Sequence, residues 1–435
     1  MTDLYQSQRT MRQLRLQAMQ RGVIAVLDIG TFKVACLILK FGSSDGPREG
    51  SGGGAMAGQA TFRVIGAGTT RSRGVRFGEI AAMQETERAV RTALQTAQKM
   101  AQTRVDHAIL CFSGGDMRSY GLEGTVDIAG AHVSEDDIAN VLDACDVPDL
   151  GNGREVLHAQ PVNFMLDHRN GLADPRGQAG RRLGCDMHLL SVDANAVQNL
   201  AHCLKRCDVE VAGLAAAPYM SGRSALVEDE QELGAAAIDL GGGSTSLSIF
   251  IKKHMIYADT VRLGGDHITG DIAKGLQIPY STAERIKTYY GGLLATGRDD
   301  RETIEIGGDS GDWDKDRRTI TRSELIGIMR PRVEEILEEV RARLDVAGFD
   351  HLPSQQIVLT GGASQIPGLD GLAARILGQQ VRLGRPIRVQ GLPQAATGPE
   401  FAASACASSP PARRMNGGIS ISRPSDLPRG RSNER

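Results

Sequence analysis

The sequence predicts an α/β fold built from a duplicated lobe, with a cleft between the two copies. Two observations point to it. Strands and helices alternate irregularly, with runs of strands feeding into helices, which fits mixed α/β lobes and excludes a bundle or a sandwich. In addition, one unusual layout occurs twice. VIAVLDIGTFKVACLIL (23–39) reads as apolar strand, Asp, apolar residue, Gly, hydroxyl residue and a further strand, and IDLGGGSTSLSIF (238–250) repeats it. The aspartates of the two copies, Asp28 and Asp239, lie 211 positions apart (239 minus 28). Such an echo suggests two lobes presenting matching hairpins across a cleft.

The remaining elements follow in order. Residues 1–21 form a basic arm, with Leu4, Met11, Leu14 and Ala18 on one narrow stripe should it be helical. GSSDGPREGSGGGAMAGQA (42–60) is too polar and Gly-rich to pack and reads as an extended hairpin loop, after which TFRVIGAGT (61–69) completes a meander. Apolar positions near 3.6 spacing predict a helix over 79–100. Strands follow at 107–113 and near 122–128, then a helix at 134–145 whose SEDD start supplies a Ser cap and first-turn acids. Strand-like pieces lie in 156–166 and 187–193, before helices at 194–206 and 218–228. Beyond the second hairpin, helices are expected at 268–275, 281–289, 323–347 and 368–378, and strands at 356–360 and 381–389. The tail from about 407 is disordered by composition.

Composition removes several classes of function. A net charge of −2 and a single Trp leave neither a basic footprint nor stacking platforms for nucleic acid. Seven cysteines without a CxxC spacing argue against a disulfide framework or a zinc ribbon. His202, Cys203 and Cys207 come nearest to a metal cluster, but a helix face carrying small buried thiols is the better reading. No stretch reaches the ~18 consecutive apolar residues of a spanning helix.

The glycines at 241–243 need the most care. In a dinucleotide fingerprint or a P-loop the glycines open a helix. Here STSLSIF alternates as a strand does, so Gly241, Gly242 and Gly243 form a hairpin turn. An ordinary turn is one reading. The other is an anion-binding nest, since successive backbone N–H groups in a tight turn can hold phosphate. Asp239 at the strand exit would repel phosphates unless a divalent cation intervened, and Asp28 repeats that arrangement. One Mg2+ held between Asp28 and Asp239, mainly through water, would bridge nucleotide phosphates, with Lys33 as a point charge on the terminal one. IVLTGGASQIPGL adds Gly361 and Gly362, a turn suited to the close approach of a flat ring. In STAERIKTYYGG, Glu284 and Lys287 share a helix face and read either as a solvated ion pair or as a clamp on ribose and adenine.

In this order the motifs resemble the superfamily of actin, heat-shock chaperones and sugar kinases, and within it the bacterial cell-division FtsA family. GREVLHAQPVNFMLDHRNGLADPRGQAGRRL (153–183) and ELGAAAIDLGGGS narrow the match, which covers roughly 22–403. The resemblance implies a two-lobed actin-like ATPase fold of duplicated RNase H-like lobes with a subdomain, 1C, inserted in the first. It implies ATP and Mg2+ as ligands. The first phosphate motif is then Asp28, Gly30, Thr31 and Lys33, and the second is Asp239, Gly241, Gly242, Gly243, Ser244 and Thr245. Glu284 and Lys287 belong to the ribose and adenine helix, and Gly361, Gly362 and Ser364 to the adenosine motif. The implied boundaries are 22–78 and 159–190 for subdomain 1A, 79–158 for 1C, 191–267 and 346–403 for 2A, 268–345 for 2B, and 404–435 for the tail.

By the same resemblance the chain polymerises, binds the C-terminal peptide of tubulin-like FtsZ through 2B, and recruits later division proteins through 1C. The FtsZ ring is thereby linked to the cytoplasmic face of the membrane at the division site. The family's amphipathic C-terminal helix is not found: the tail ASSPPARRMNGGISISRPSDLPRGRSNER has no apolar stripe, and its prolines would break a helix. ATP turnover is at most slow, and no catalytic residue is assigned. Alternative readings within the superfamily are a sugar-kinase-type phosphotransferase and a pilus-assembly ATP-binding adaptor.

Overall fold

A computed structural model describes residues 2–42, 61–151, 153–294, 296–306, 318–387, 389 and 391–406. The Gly-rich loop from 43 to 60 and the tail from 407 lie outside the described residues. The chain opens with helix α1 (Thr2–Arg21) and the meander β1 (Val23–Ile29), β2 (Lys33–Gly42) and β3 (Thr61–Arg71). A small hairpin of β4 (Val75–Arg76) and β5 (Glu79–Ile80), helix α2 (Met83–Ala101) and strand β6 (His107–Phe112) follow. An excursion then runs through β7 (Arg118–Asp127), α3 (Glu135–Asp143), β8 (Arg154–Leu166), β9 (Arg169–Leu172) and β10 (Arg182–Asp193), and α4 (Ala194–Arg206) and β11 (Glu210–Ala216) come next.

Helices α5 (Ala217–Ala225) and α6 (Glu228–Leu233) lead into the second meander, β12 (Ala235–Leu240), β13 (Thr245–Ile251) and β14 (His254–Val261). After it come α7 (Gly265–Leu276), α8 (Tyr280–Tyr290), β15 (Thr303–Ile306), β16 (Arg318–Thr321) and α9 (Arg322–Val346). The described chain ends with β17 (Gln356–Thr360), α10 (Leu369–Leu377), β18 (Val381–Leu383) and α11 (Ala402–Cys406).

Two five-stranded sheets share one topology. The first has the order β3-β2-β1-β6-β11 and the second β14-β13-β12-β17-β18. In both, the opening strand pairs antiparallel within its meander and parallel with a strand that returns through a helical crossover. The duplication expected from the two Asp-Gly hairpins therefore extends to whole lobes. Strands β1 and β12 are almost wholly apolar because both are central, with neighbours on either side (Ala25, Val26 and Leu27 in one, Ala236, Ala237 and Ile238 in the other). One core is built around Leu27, Leu110 and Leu200 and runs on to Ala237 and Phe250 of the second sheet, and another is built around Ile238, Leu247 and Leu337.

The inserted unit is a four-stranded sheet of order β7-β10-β8-β9 carrying α3. Its own core holds Val141, Phe164, Leu183 and Leu189. The SEDD start behaves as expected: the Ser134 hydroxyl accepts the Asp137 N–H at 3.1 Å, and Asp137 accepts the Ser134 N–H at 2.9 Å. The expected boundaries move, however. Strand β6 pairs with β1, and α2 packs on β3, so residues 79–112 belong to the first lobe. Residues 159–190, expected in subdomain 1A, are strands of the insert, and β11, expected in the second lobe, is the far edge of the first sheet. Long-range pairing decides these memberships, and an apolar strand does not carry its partner in its own residues.

The N-terminal arm is helical, with Leu14 and Ala18 of its stripe set against the first lobe. Ala18 is fully buried, Leu14 is partly buried, and Arg21 pairs with Asp106 at 2.7 Å. Cys203 and Cys207 are free, buried thiols while His202 is exposed, so the reading of a helix face holds.

Candidate functional site

The two Asp-Gly hairpins are built alike, rung for rung. Asp28 stands opposite Ala35 and Asp239 opposite Ser246, and each turn closes with the same bond. The Gly30 N–H donates to the Lys33 carbonyl at 3.0 Å, and the Gly241 N–H donates to the Ser244 carbonyl at 3.0 Å. The lobes bring the two turns into contact. A Cβ added to Gly243 would lie 2.4 Å from the Thr31 hydroxyl, so only glycine lets the tips approach this closely. The GG turn arrives from β17: Gly361 has φ +88°, and a Cβ there would lie 2.3 Å from the Asp239 carboxylate.

Charge in this space is poorly balanced. The Lys33 ammonium is buried without a hydrogen-bond partner, over the ring of Phe401 at 3.4 Å. Burial pulls its pKa down, against the pull of Asp28, Glu400 and Asp239. Burial likewise raises the Asp28 carboxyl, with Lys33 opposing. Asp239 is pushed up to about 7, mainly by burial and then by Asp28. A partnerless ammonium beside two carboxyls above their usual range is the arrangement that an anion and a divalent cation together would satisfy.

The donor set suits Mg2+ of the kind held by one or two carboxylates plus water and phosphate. Among the described residues no group of three or more His, Cys, Asp or Glu side chains is placed to hold an ion. The pair Asp28 and Asp239 would carry such an ion only with oxygens from water or a ligand.

The other expected residues divide into two groups. Glu284 and Lys287 form an ion pair at 2.7 Å with side chains 17% and 11% exposed, so this is no solvated surface pair. Lys287 also donates to the Thr269 hydroxyl at 2.7 Å and to the Gly265 carbonyl at 3.1 Å. Gly265 ties the motifs together: its N–H donates to the Gly241 carbonyl at 2.9 Å, and its Cβ position lies 3.3 Å from Ala363 in the GG turn. Gly362 is exposed and open. Thr245 and Ser364 each donate their hydroxyl proton to a backbone carbonyl. The buried Thr245 hydroxyl donates to the Leu263 carbonyl at 2.9 Å, and the Ser364 hydroxyl donates to the Gly361 carbonyl at 2.7 Å. Both side chains brace turns through these bonds.

Three contributors escaped the sequence. Glu400 and Phe401 reach Lys33 from the segment that returns over the first lobe after β18, and Ser221 on α5 lies beside Asp239 and favours its ionised form. None of the three stands in a glycine motif. The only hint was GPEF breaking the Pro-rich end, which gives no direction.

Comparison with known proteins agrees with this division of the chain. The family model described as cell division protein FtsA matches residues 236–406, and that described as the SHS2 domain inserted in FtsA matches residues 114–191. The chain is 42% identical to the cell division protein FtsA of Rhizobium meliloti over 87% of its own length and 85% of that protein's. It is 40% identical to that of Agrobacterium fabrum over 90% and 87%, and 29% identical to that of Escherichia coli K12 over 89% of each. Among solved structures, a PilM–PilN type IV pilus biogenesis complex covers 88% of this chain and 97% of its own at TM-score 0.59 and 14% identity. MreB5 of Spiroplasma citri bound to ADP covers 91% and 98% at TM-score 0.52 and 14% identity. At such identity these structures speak for the fold alone.

Proposed function

The chain belongs to the FtsA family of bacterial cell-division proteins and has the actin-like two-lobed fold, and on that premise we propose that it is an ATP- and Mg2+-binding division scaffold. The observation that carries the nucleotide reading is the cluster of Lys33, Asp28 and Asp239 between matched hairpins. Lys33 would meet the terminal phosphates, the backbone N–H groups of Gly242 and Gly243 would line their other side, and the two carboxylates would hold Mg2+ mainly through water. Bound there, the ion neutralises phosphate charge. Gly361, Gly362, Glu284 and Lys287 would flank the nucleoside. That the neighbouring MreB5 was solved with ADP supports a nucleotide in this cleft.

In this reading ATP is chiefly a conformational ligand. It contacts both lobes, so it favours the closed arrangement by its differential affinity for it, and closure sets the faces used for self-association. The scaffold binds the FtsZ C-terminal peptide through 2B, links the FtsZ ring to the membrane at the division site, and meets later division proteins through the inserted unit. Among the described residues no helix is long and apolar enough to cross a membrane. A phosphotransferase of the sugar-kinase type is not favoured by the relatives named above, which are described as cell division protein FtsA.

The test is fluorescence anisotropy with an FtsZ C-terminal peptide, with and without ATP and Mg2+. Saturable binding is expected, and no binding in either state removes the scaffold reading. Substrate-stimulated ADP release with sugars would favour the phosphotransferase instead.

A further inference from the structure

The β4–β5 hairpin takes no part in the nucleotide motifs, yet it reaches from the first lobe to the second. Both of its turn residues have positive φ, Phe77 at 54° and Gly78 at 74°. A two-residue turn of this kind favours Asn or Gly, and an aromatic residue there is strained. The Phe77 ring lies across the cleft mouth, stacked on His267 of α7 (centroids 6.0 Å apart, planes at 24°), with the Arg262 guanidinium 5.9 Å from its centroid. Arg262 then pairs with Glu79 of the same hairpin at 3.2 Å.

Both ends of these contacts lead to other working parts. His267 sits in the first turn of α7, where its Nδ1 accepts the Gly264 N–H at 3.1 Å, and the next two amides, of Gly265 and Asp266, bond the carbonyls of Gly241 and Gly242. On the other side, Glu79 accepts the Gly115 N–H at 3.1 Å. Gly115 is where the chain leaves for the inserted unit, and its carbonyl accepts the N–H of Asp193, where the chain returns, at 2.7 Å.

We infer that the β4–β5 hairpin is an interlobe latch, which holds the start of α7 against the first lobe and transmits its position to the stem of the inserted unit. Glu79 is the joint, since one carboxylate serves both the Arg262 guanidinium and the stem amide. The grip is suited to release: Arg262 and Glu79 are 57% and 37% exposed, and such pairs are individually weak. A small differential affinity of any cleft ligand would tip it.

Hydrogen–deuterium exchange on the full chain without added nucleotide tests this independently of the ATP reading. Phe77→Leu keeps apolar bulk but removes the ring, and Arg262→Gln removes the surface charge. In each, exchange in 262–267 and in 113–117 is expected to rise together, by about fivefold or more, while β1 and β12 stay protected. Faster exchange confined to 75–80, or in 262–267 without 113–117, overturns the inference. Should Phe77→Leu lose protection throughout, the Arg262→Gln comparison decides by the same two criteria.

Discussion

Asp239 shows how one residue takes its character from four parts of the chain. The hairpin places it, Gly361 presses on it, and Ser221 and Asp28 set its electrostatics. Under the proposed role Asp239→Ala should abolish the Mg2+-dependent part of ATP affinity while the fold survives, as read by titration calorimetry with and without chelator. Unchanged affinity would reduce the motif to a turn. A second residue-scale prediction concerns acid. Burial pushes His158 down to about 4, and its Nδ1 is without a partner while Nε2 accepts the Ala216 N–H at 3.2 Å. The unfolded chain binds this proton near 6.5, so between 6.5 and 4 the unfolded state holds more protons and stability falls as pH falls. By pH 5 the loss is about 2 kcal/mol from this residue. His188, also lowered by burial, adds in the same direction. Urea melts at pH 7 and pH 5 check it: His158→Phe should flatten the difference, and an equal slope in both proteins would contradict the assignment.

At the scale of elements, the seam between β3 and α2 shows what close packing demands. Gly66 and Gly68 alternate onto one face of the strand, and Ala93 and Ala97 recur one turn apart on the helix. A Cβ on Gly68 would lie 2.2 Å from the Ala93 carbonyl and 2.7 Å from the Ala97 nitrogen. Gly68→Ala is therefore expected to cost about 1–3 kcal/mol, measured by urea denaturation, since backbone cannot move aside as a side chain does. The helix itself was legible from its 3.6 period, and α3 from its cap. The role of these glycines was not, because VIGAGT reads simply as a weak strand until the helix lies on it. The same limit applied at Thr245 and Ser364. Both stand in the motifs, but their hydroxyls turn to the Leu263 and Gly361 carbonyls, and only the folded turn decides which way a hydroxyl points.

At the scale of the molecule, two lobes of one topology meet at their hairpin tips, and a ligand touching both should stabilise the whole chain. Saturating ATP with Mg2+, at a hundredfold over its Kd, is expected to add about 2.7 kcal/mol to the unfolding free energy. Thermal melts with and without chelator would read it, and Asp239→Ala should remove its Mg2+-dependent part. The repeated Asp-Gly layout by itself determined that there are two lobes, because tight hairpins are local and glycine spacing records them directly. The tertiary structure alone decided which strands belong to which sheet, since β6 and β11 are apolar runs whose partners lie far along the chain. It alone also brought Glu400, Phe401 and Ser221 to Lys33 and Asp239, and set the β4–β5 hairpin against α7. Local chemistry writes turns and caps into neighbouring residues. Burial and long-range approach depend on the packing of the whole and leave no pattern in any one segment.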